Sequence, residues 1–443
     1  MTAPQSRQAR RINRLQNLAI VLLALSAAFL FTNLPLFGPL SDRSLLALAQ
    51  DRLRKESIVA VPDEPETPQL ALPVRIVYTN GFARFASESL TTLSDEFELA
   101  GTYLSEAIGS AGSVSPVRET AFLAALRAEG LYFDFTTAIP SGLLSQVFGV
   151  SVSELAPESV RRALLAPVTG EDAGLYVQSG EGKCYRFSTA VSSAALLDFL
   201  SSRSGENADF AFLLGSSLSA LSPYTLVIND PRPRAVLTAV NAVSGSEDEL
   251  VRRAGFSTNT DNRFTESSGT VIVRDVSSTL YLRPDGAVDY QGGGAAADSP
   301  YYVPAAVVGM PTATEAVLAA QRMASSLLRD LTGDAELCLS GVGNLGRRYE
   351  ICFDLIADGT PIRFSDGSHA AVFTIDGQSI TAFSLRPRRY TLTEEPTLLL
   401  PFAQAAAIAR IYNGAELDVV YVDAGGEAVQ PTWIADQASG GAG

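Results

Sequence analysis

The chain is poor in the residues from which most enzymes and metal sites are assembled. Of its 443 residues one is histidine (His369), three are cysteine (Cys184, Cys338, Cys352) and two are lysine (Lys55, Lys183). A single imidazole excludes every mechanism or metal site that needs two. Three thiols are too few for a disulfide scaffold or a four-thiolate zinc centre. Positive charge is also short: Lys+Arg total 33 against 48 Asp+Glu, for a net charge of −15 and a sequence pI near 4.7. Such a surface repels phosphate backbones, which argues against a nucleic-acid partner. No cofactor is expected. What is present is a hydrophobic share of 47%, ordinary for folded proteins, and length enough for two or three domains.

The first forty residues have the opposite charge. Arg7, Arg10, Arg11 and Arg14 precede the first carboxylate, Asp42. From Leu18 to Phe31 the chain reads LAIVLLALSAAFLF, and Leu34–Leu40 extend the uncharged stretch. About 20 such residues cross a hydrocarbon core of roughly 30 Å. Arginines on the N-terminal side place that end in the cytoplasm. The spacing predicts a basic cytoplasmic tail (1–16), a transmembrane helix (17–40) and an extracytoplasmic remainder at the plasma membrane. The competing reading is a cleaved secretory signal ending near Ala47-Leu48-Ala49, although that site lies far beyond the apolar run.

Punctuation divides the rest. Residues 41–73 read as a helical stalk and a linker stiffened by Pro62, Pro65, Pro68 and Pro73. Residues 74–234 alternate strand and helix patterns and read as an α/β domain, with strands at Arg75–Thr79 and Leu131–Phe135. Its helices are placed at Glu88–Ile108, Ala121–Glu129, Glu158–Leu165 and Ser193–Ser201. Residues 235–310 read as a helix (Val236–Ala254) followed by a short meander with a Pro284-Asp285-Gly286 turn. Residues 311–436 repeat that plan at larger scale: a helix at Thr314–Leu331, strands at 336–340, 347–357, 361–364, 370–376 and 379–386, and a helix at Pro401–Tyr412. Strands at Leu417–Val422 and near Thr432–Ala435 end it before a Gly-rich tail (437–443). The expected class is α+β: an anchor, an α/β domain and two helix-plus-antiparallel-meander modules. A hairpin turning near Leu345 would set Cys338 opposite Cys352, close enough for a disulfide; two buried free thiols are the alternative.

Several catalytic look-alikes fail on context. Gly341–Gly346 matches G-x-G-x-x-G, but a strand pattern follows, so no helix N-terminus would receive a pyrophosphate. Thr260-Asp261-Asn262 imitates one motif of the penicillin-binding serine enzymes. Ser179 and Lys183 are one residue too far apart for S-x-x-K, and K-T-G is absent. His369 reads as a solvated loop residue, and Asp358, Asp366 and Asp376 as turn residues. The reading is of a protein that is not an enzyme.

The stretch from Gly255 to Gln291 resembles the YycH family, membrane-anchored regulators of two-component signalling. The carrying residues are Gly255, Phe256 and Asn259, then Asp285, Gly286 and Tyr290. The last module is similar to YycH and its paralogue YycI, ending in Pro431-Thr432-Trp433-Ile434. The resemblance is clearest over 236–436. It implies a non-catalytic extracytoplasmic regulator of a sensor histidine kinase of the WalK (YycG) type, acting in cell-wall homeostasis. Implied partners are that kinase, a YycI-like paralogue or a second copy of the chain, and the bilayer. Within the apolar run, Ala24 and Ala28 are four apart with Ala27 beside them, a small-residue face for helix packing in the membrane; the competing reading is that these alanines simply fill an apolar anchor. The alternative is an extracytoplasmic binding or inhibitory module for a protease or a wall polymer.

Overall fold

A computed structural model of the protein describes residues 70–437, except 82, 89–94, 151–156, 204, 230, 259–261, 296–298 and 308. The expected transmembrane span 17–40, with Ala24, Ala27 and Ala28, lies outside them. Among the described residues no helix is long and apolar enough to cross a membrane.

The first strands are β1 (Pro73–Asn80), β2 (Ala83–Glu88), β3 (Val114–Val117), β4 (Gly130–Pro140), β5 (Ser159–Ala166), β6 (Gly174–Gln178) and β7 (Cys184–Ser188). Helices α1 (Asp95–Gly109), α2 (Glu119–Arg127), α3 (Ser141–Val147) and α4 (Ser193–Ser202) lie between and after them. The seven strands form one sheet in the order β2-β1-β4-β5-β6-β7-β3, antiparallel at every pairing. Alternate side chains go to opposite faces. Ile76, Phe133 and Leu165 enter the main core; Val77, Tyr132 and Leu164 enter a second cluster with Phe122 of α2 and with Phe210.

Covering both faces removes the polar alternation that marks a half-exposed strand. This explains two departures from expectation. Glu158–Leu165, expected as a helix, is strand β5, because a short run such as RALLA does not separate a buried helix from a doubly covered strand. And the expected α/β domain is built on a wholly antiparallel sheet, so it too is α+β.

A small ribbon, β8 (Ala208–Phe210) and β9 (Leu226–Ile228), leads to the second sheet. Here β10 (Arg234–Asn241) and α5 (Glu247–Arg253) replace the expected helix Val236–Ala254. There follow β11 (Arg263–Thr265), β12 (Val271–Arg274), β13 (Ser278–Leu282), β14 (Val288–Gly292) and α6 (Ala313–Leu328). Next come β15 (Glu336–Asn344), β16 (Arg348–Ala357), β17 (Thr360–Phe364), β18 (Ala371–Asp376), β19 (Ser379–Leu385) and β20 (Arg388–Thr397). Helix α7 (Phe402–Ala409), β21 (Ala415–Asp423) and β22 (Ala428–Gln437) complete the fold.

This sheet forks at β16. One edge of β16 holds β15; the other pairs with β18 along Arg348–Phe353 and with β17 along Leu355–Ala357. One arm runs β18-β19-β14-β13-β12-β11, the other β17-β21-β22-β10-β20. Because β14 pairs with β19 and β10 lies between β20 and β22, the stretches 235–310 and 311–436 share one sheet rather than standing as two modules. Val317 and Leu327 of α6 share a core with Phe133 of the first sheet and Phe353 of the second.

Helix α6 begins with a reciprocal cap. Thr312 Oγ1 accepts from the Glu315 amide at 3.2 Å, and Glu315 Oε2 accepts from the Thr312 amide at 2.7 Å. Both otherwise orphaned donors are thereby satisfied. Thr312→Ala is expected to destabilise the protein by about 1 kcal/mol in urea unfolding, and an unchanged midpoint would show that the cap is dispensable.

Candidate functional site

Strand register builds a charged row across the first sheet. Arg75 of β1 stands beside Asp134 of β4, Asp134 beside Arg162 of β5, and Arg162 beside Gln178 of β6. All four lie on one face, since each is two residues from a neighbour in the second cluster (Val77, Tyr132, Leu164) or, for Gln178, from Tyr176 packed against it. The row is alternately charged: Arg75 Nη2 lies 2.5 Å from Asp134 Oδ2, and Arg162 Nη1 donates to Gln178 Oε1 at 2.7 Å. Gln178 Nε2 then donates to the Tyr224 hydroxyl at 2.9 Å, which donates to Glu119 Oε1 at 2.9 Å.

Strand β21 of the second sheet closes over this row. Arg75 reaches Asp418 at 2.7 Å and Glu416 at 3.4 Å, and Arg162 pairs with Glu416. Arg161 pairs with Asp134 at 2.5 Å where the register slips between Asp134 and Ile139, and donates to the Phe135 carbonyl. Three guanidiniums thus face three carboxylates, with Asp134 wholly buried. Burial alone would raise Asp134; Arg161, Arg75 and Arg162 overcome it and hold the carboxyl well below the usual range. Arg75 is held charged against burial by Asp418, Asp134 and Glu416. Glu416 moves the other way, pushed up by burial despite Arg162. The arrangement locks the two sheets together.

Beside the lock opens a cleft of about 680 Å³, lined by Thr136, Arg161 and Ser179 from the first sheet and Ser340, Thr360 and Arg363 from the second. That volume suits a small ligand. Much of its charge is internally paired, as in Arg363–Asp436 at 2.6 Å.

Ser340 connects the cleft to the lone histidine. His369, expected as a solvated loop residue, is half-buried, with Nδ1 3.0 Å from Asp354 Oδ1 and 3.3 Å from Ser340 Oγ. The hydrogen bond to Asp354, then one to Cys352, push the imidazole up to about 10, against the effect of burial. Serine, histidine and aspartate in contact resemble a hydrolase triad, but the geometry is wrong. A triad needs serine on one ring nitrogen and aspartate on the other, with the ring free to accept a proton. Here both partners address Nδ1, and the carboxylate beside it favours the protonated ring.

The hairpin carrying Cys338 and Cys352 forms as expected, but its register differs. Cys338 stands opposite Asp354 and Cys352 opposite Gly341, with a slip between Leu339 and Gly341, so the two thiols do not face each other. Both are free and buried, as is Cys184. Gly341–Gly346 is the end of β15 and its turn, where Gly346 takes φ 82°. The run from Ser179 to Lys183 is also a turn, closed by the Ser179 amide on the Lys183 carbonyl at 2.8 Å. Among the described residues no group of three or more His, Cys, Asp or Glu side chains could hold a metal ion.

The residues that carried the family resemblance are structural. Phe256 meets Tyr290 edge-on with ring centroids 6.2 Å apart, and Tyr290 stacks on Tyr301 at 4.3 Å and on Phe383 at 5.0 Å. Asp285-Gly286 makes the β13–β14 turn, with Gly286 at φ 88°. Asn259 lies outside the described residues. Arg75, Asp134, Arg162, Glu416 and Asp418 had no place among the sequence candidates; their one local signal is a charge set within an apolar strand.

An antiparallel sheet laid through a shared core against a second, forked sheet, antiparallel except where β17 meets β21, constitutes a YycH-like fold. The crystal structure of YycH from Bacillus subtilis superimposes with a TM-score of 0.54 at 12% identity, covering 85% of this chain and 95% of that one. No family model and no curated protein matches the sequence.

Proposed function

We propose that this chain is a non-catalytic, membrane-tethered extracytoplasmic regulator that modulates a sensor histidine kinase by contact. The observation that carries the reading is the YycH-like fold over 85% of the chain, joined to an N-terminal apolar run flanked by arginines. The cleft is compatible with it: much of its charge is paired, as in Arg363–Asp436 and Arg162–Glu416, and the lone imidazole is held by Asp354. Control runs through the helix 17–40, where Ala24, Ala27 and Ala28 allow close approach to the kinase's own membrane helices and shift its signalling equilibrium. A YycI-like paralogue or a second copy of the chain would share the complex.

The test is co-purification of the full-length protein with the kinase from membranes. Ala24→Leu with Ala28→Leu is expected to reduce recovery of the kinase several-fold while leaving the protein in the membrane fraction. Unchanged recovery discards helix packing as the route. A second reading, an extracytoplasmic module that binds a protease or wall polymer, is favoured by the 680 Å³ cleft. It requires binding that survives loss of helix packing.

A further inference from the structure

Helix α7 is built inside out. Its buried face is small, Ala405, Ala406 and Ala409 packed on Leu221 and Leu417 with Phe402 half-buried at its start, while Ile408 and the large apolar side chains flanking the helix are exposed. Leu398, Ile411 and Ile408 are 88%, 74% and 61% exposed, and Leu400 and Tyr412 are exposed beside them. A helix serving only the core shows the reverse arrangement. Exposed apolar side chains grouped in this way mark a contact surface.

Charge says what kind of surface it meets. The chain carries 48 carboxylates, yet residues 396–415 contain none and have a single charge, Arg410. The segment packed against this helix, through Leu218 and Leu221, belongs to residues 210–229, which contain no charged residue. Two carboxylate-free stretches of an acidic protein therefore meet, where Leu221 bridges to Ala415. The aromatic edge is interfacial in character: Trp433 packs edge-on against Phe402 at 5.7 Å and donates its indole N–H to the Leu400 carbonyl at 2.8 Å. Exposed leucine and isoleucine, flanking tyrosine and tryptophan, one arginine and no carboxylate are what an in-plane membrane contact uses.

We propose that the surface formed by α7, the preceding Thr397–Leu400 and the following Ile411–Tyr412 lies on a lipid bilayer containing anionic headgroups. The inference rests on the tethered reading above and deepens it. Residues 41–69 lie between the expected span 17–40 and the described body, a length of up to roughly 95 Å if fully extended, so the tether does not prevent the body from lying on the surface. Contact at α7 would fix which face of the regulator is turned toward a partner's membrane helices.

Trp433 is the only tryptophan, so its emission reports the surface directly. The full-length protein is reconstituted in vesicles of phosphatidylcholine and phosphatidylglycerol, with or without brominated acyl chains. Bromine is expected to quench Trp433 at least two-fold in the wild type, and Ile408→Glu with Ile411→Glu is expected to abolish the quenching without altering flotation or far-UV circular dichroism. Flotation with vesicles but equal emission in both lipids overturns the bilayer contact, and protection of the same face by a second copy or another protein would then reassign it. Failure to float at all overturns the tethered reading itself.

Discussion

Asp134→Ala is expected to destabilise the protein by about 3–5 kcal/mol, the cost of leaving buried charge without its partner. Asp134 lies between Arg75 at 2.5 Å and Arg161 at 2.5 Å, with Arg162 Nε at 3.6 Å, and has no contact with water. Removing it leaves Glu416 and Asp418 to balance three guanidiniums, and Asp418 reaches only Arg75. The loss is read as a fall in the urea midpoint of the full chain at unchanged slope. Because these groups form one network, Asp134→Ala with Arg75→Ala should lose less than the two singles together, by about 0.5–3 kcal/mol. The acid limb carries a sign. Asp134 is depressed in the fold, so its contribution is complete above its ordinary value of about 3.9 and fades as pH falls toward its native one. The gap between wild type and variant should therefore narrow below about pH 4. Glu416, raised by burial, works oppositely: its contribution is present at low pH and is lost as pH rises through its native value. An Asp134→Ala unfolding free energy within about 1 kcal/mol of wild type, against the ~3 kcal/mol expected, would mean that water or side-chain movement relieves the stranded arginines and that apolar packing suffices to hold the sheets.

Local signals account for what was legible. The meander 336–386 was readable strand by strand because Asp358-Gly359, Asp366-Gly367 and Asp376-Gly377 fall between apolar runs, and in the structure Asp358 takes φ 48° and each following glycine a positive φ. The helices at 95–109, 193–202 and 313–328 were readable from their period. Strands β5 and β10 were not: RALLA and RAVLTAV are rich in Ala and Leu, which favour helix, and only pairing on both edges makes them strands. The lock was hidden for a related reason. Arg162 and Glu416 are 254 residues apart and Arg75 and Asp418 343, so spacing along the chain says nothing of their meeting. What a reader could have seen is that Arg75 and Asp134 interrupt otherwise apolar strands, since a charge there needs a partner. The thiols miss each other because the hairpin turns over Leu345–Arg348 instead of centring on Leu345, which pairs Asn344 with Tyr349 and sets Cys338 opposite Asp354 and Cys352 opposite Gly341.

The imidazole of His369 is expected to titrate with a midpoint near 10 instead of 6.5. It is the chain's one histidine, so a single ring resonance in a proton NMR titration of the full-length protein follows it without assignment. The groups facing it are Asp354, Ser340 and Cys352. Asp354 holds Nδ1 at 3.0 Å and itself receives the Ala370 amide at 3.4 Å, so the carboxylate is positioned by the backbone beside the ring. Asp354→Asn removes the charge and keeps the shape, and should bring the midpoint back toward 6.5 by removing the largest contribution. The linkage follows from the upward direction. The folded ring binds its proton more tightly than the unfolded one, so its contribution is fully present below about pH 6.5. It declines above that value and is gone once the pH has passed the folded midpoint near 10. Stability of the wild type should therefore fall across that window relative to His369→Asn, whose side chain does not titrate. A wild-type midpoint near 6.5 would mean that the ring faces solvent, and the pairing with Asp354 would then make no claim on how β15, β16 and the turn before β18 are held at the edge of the cleft.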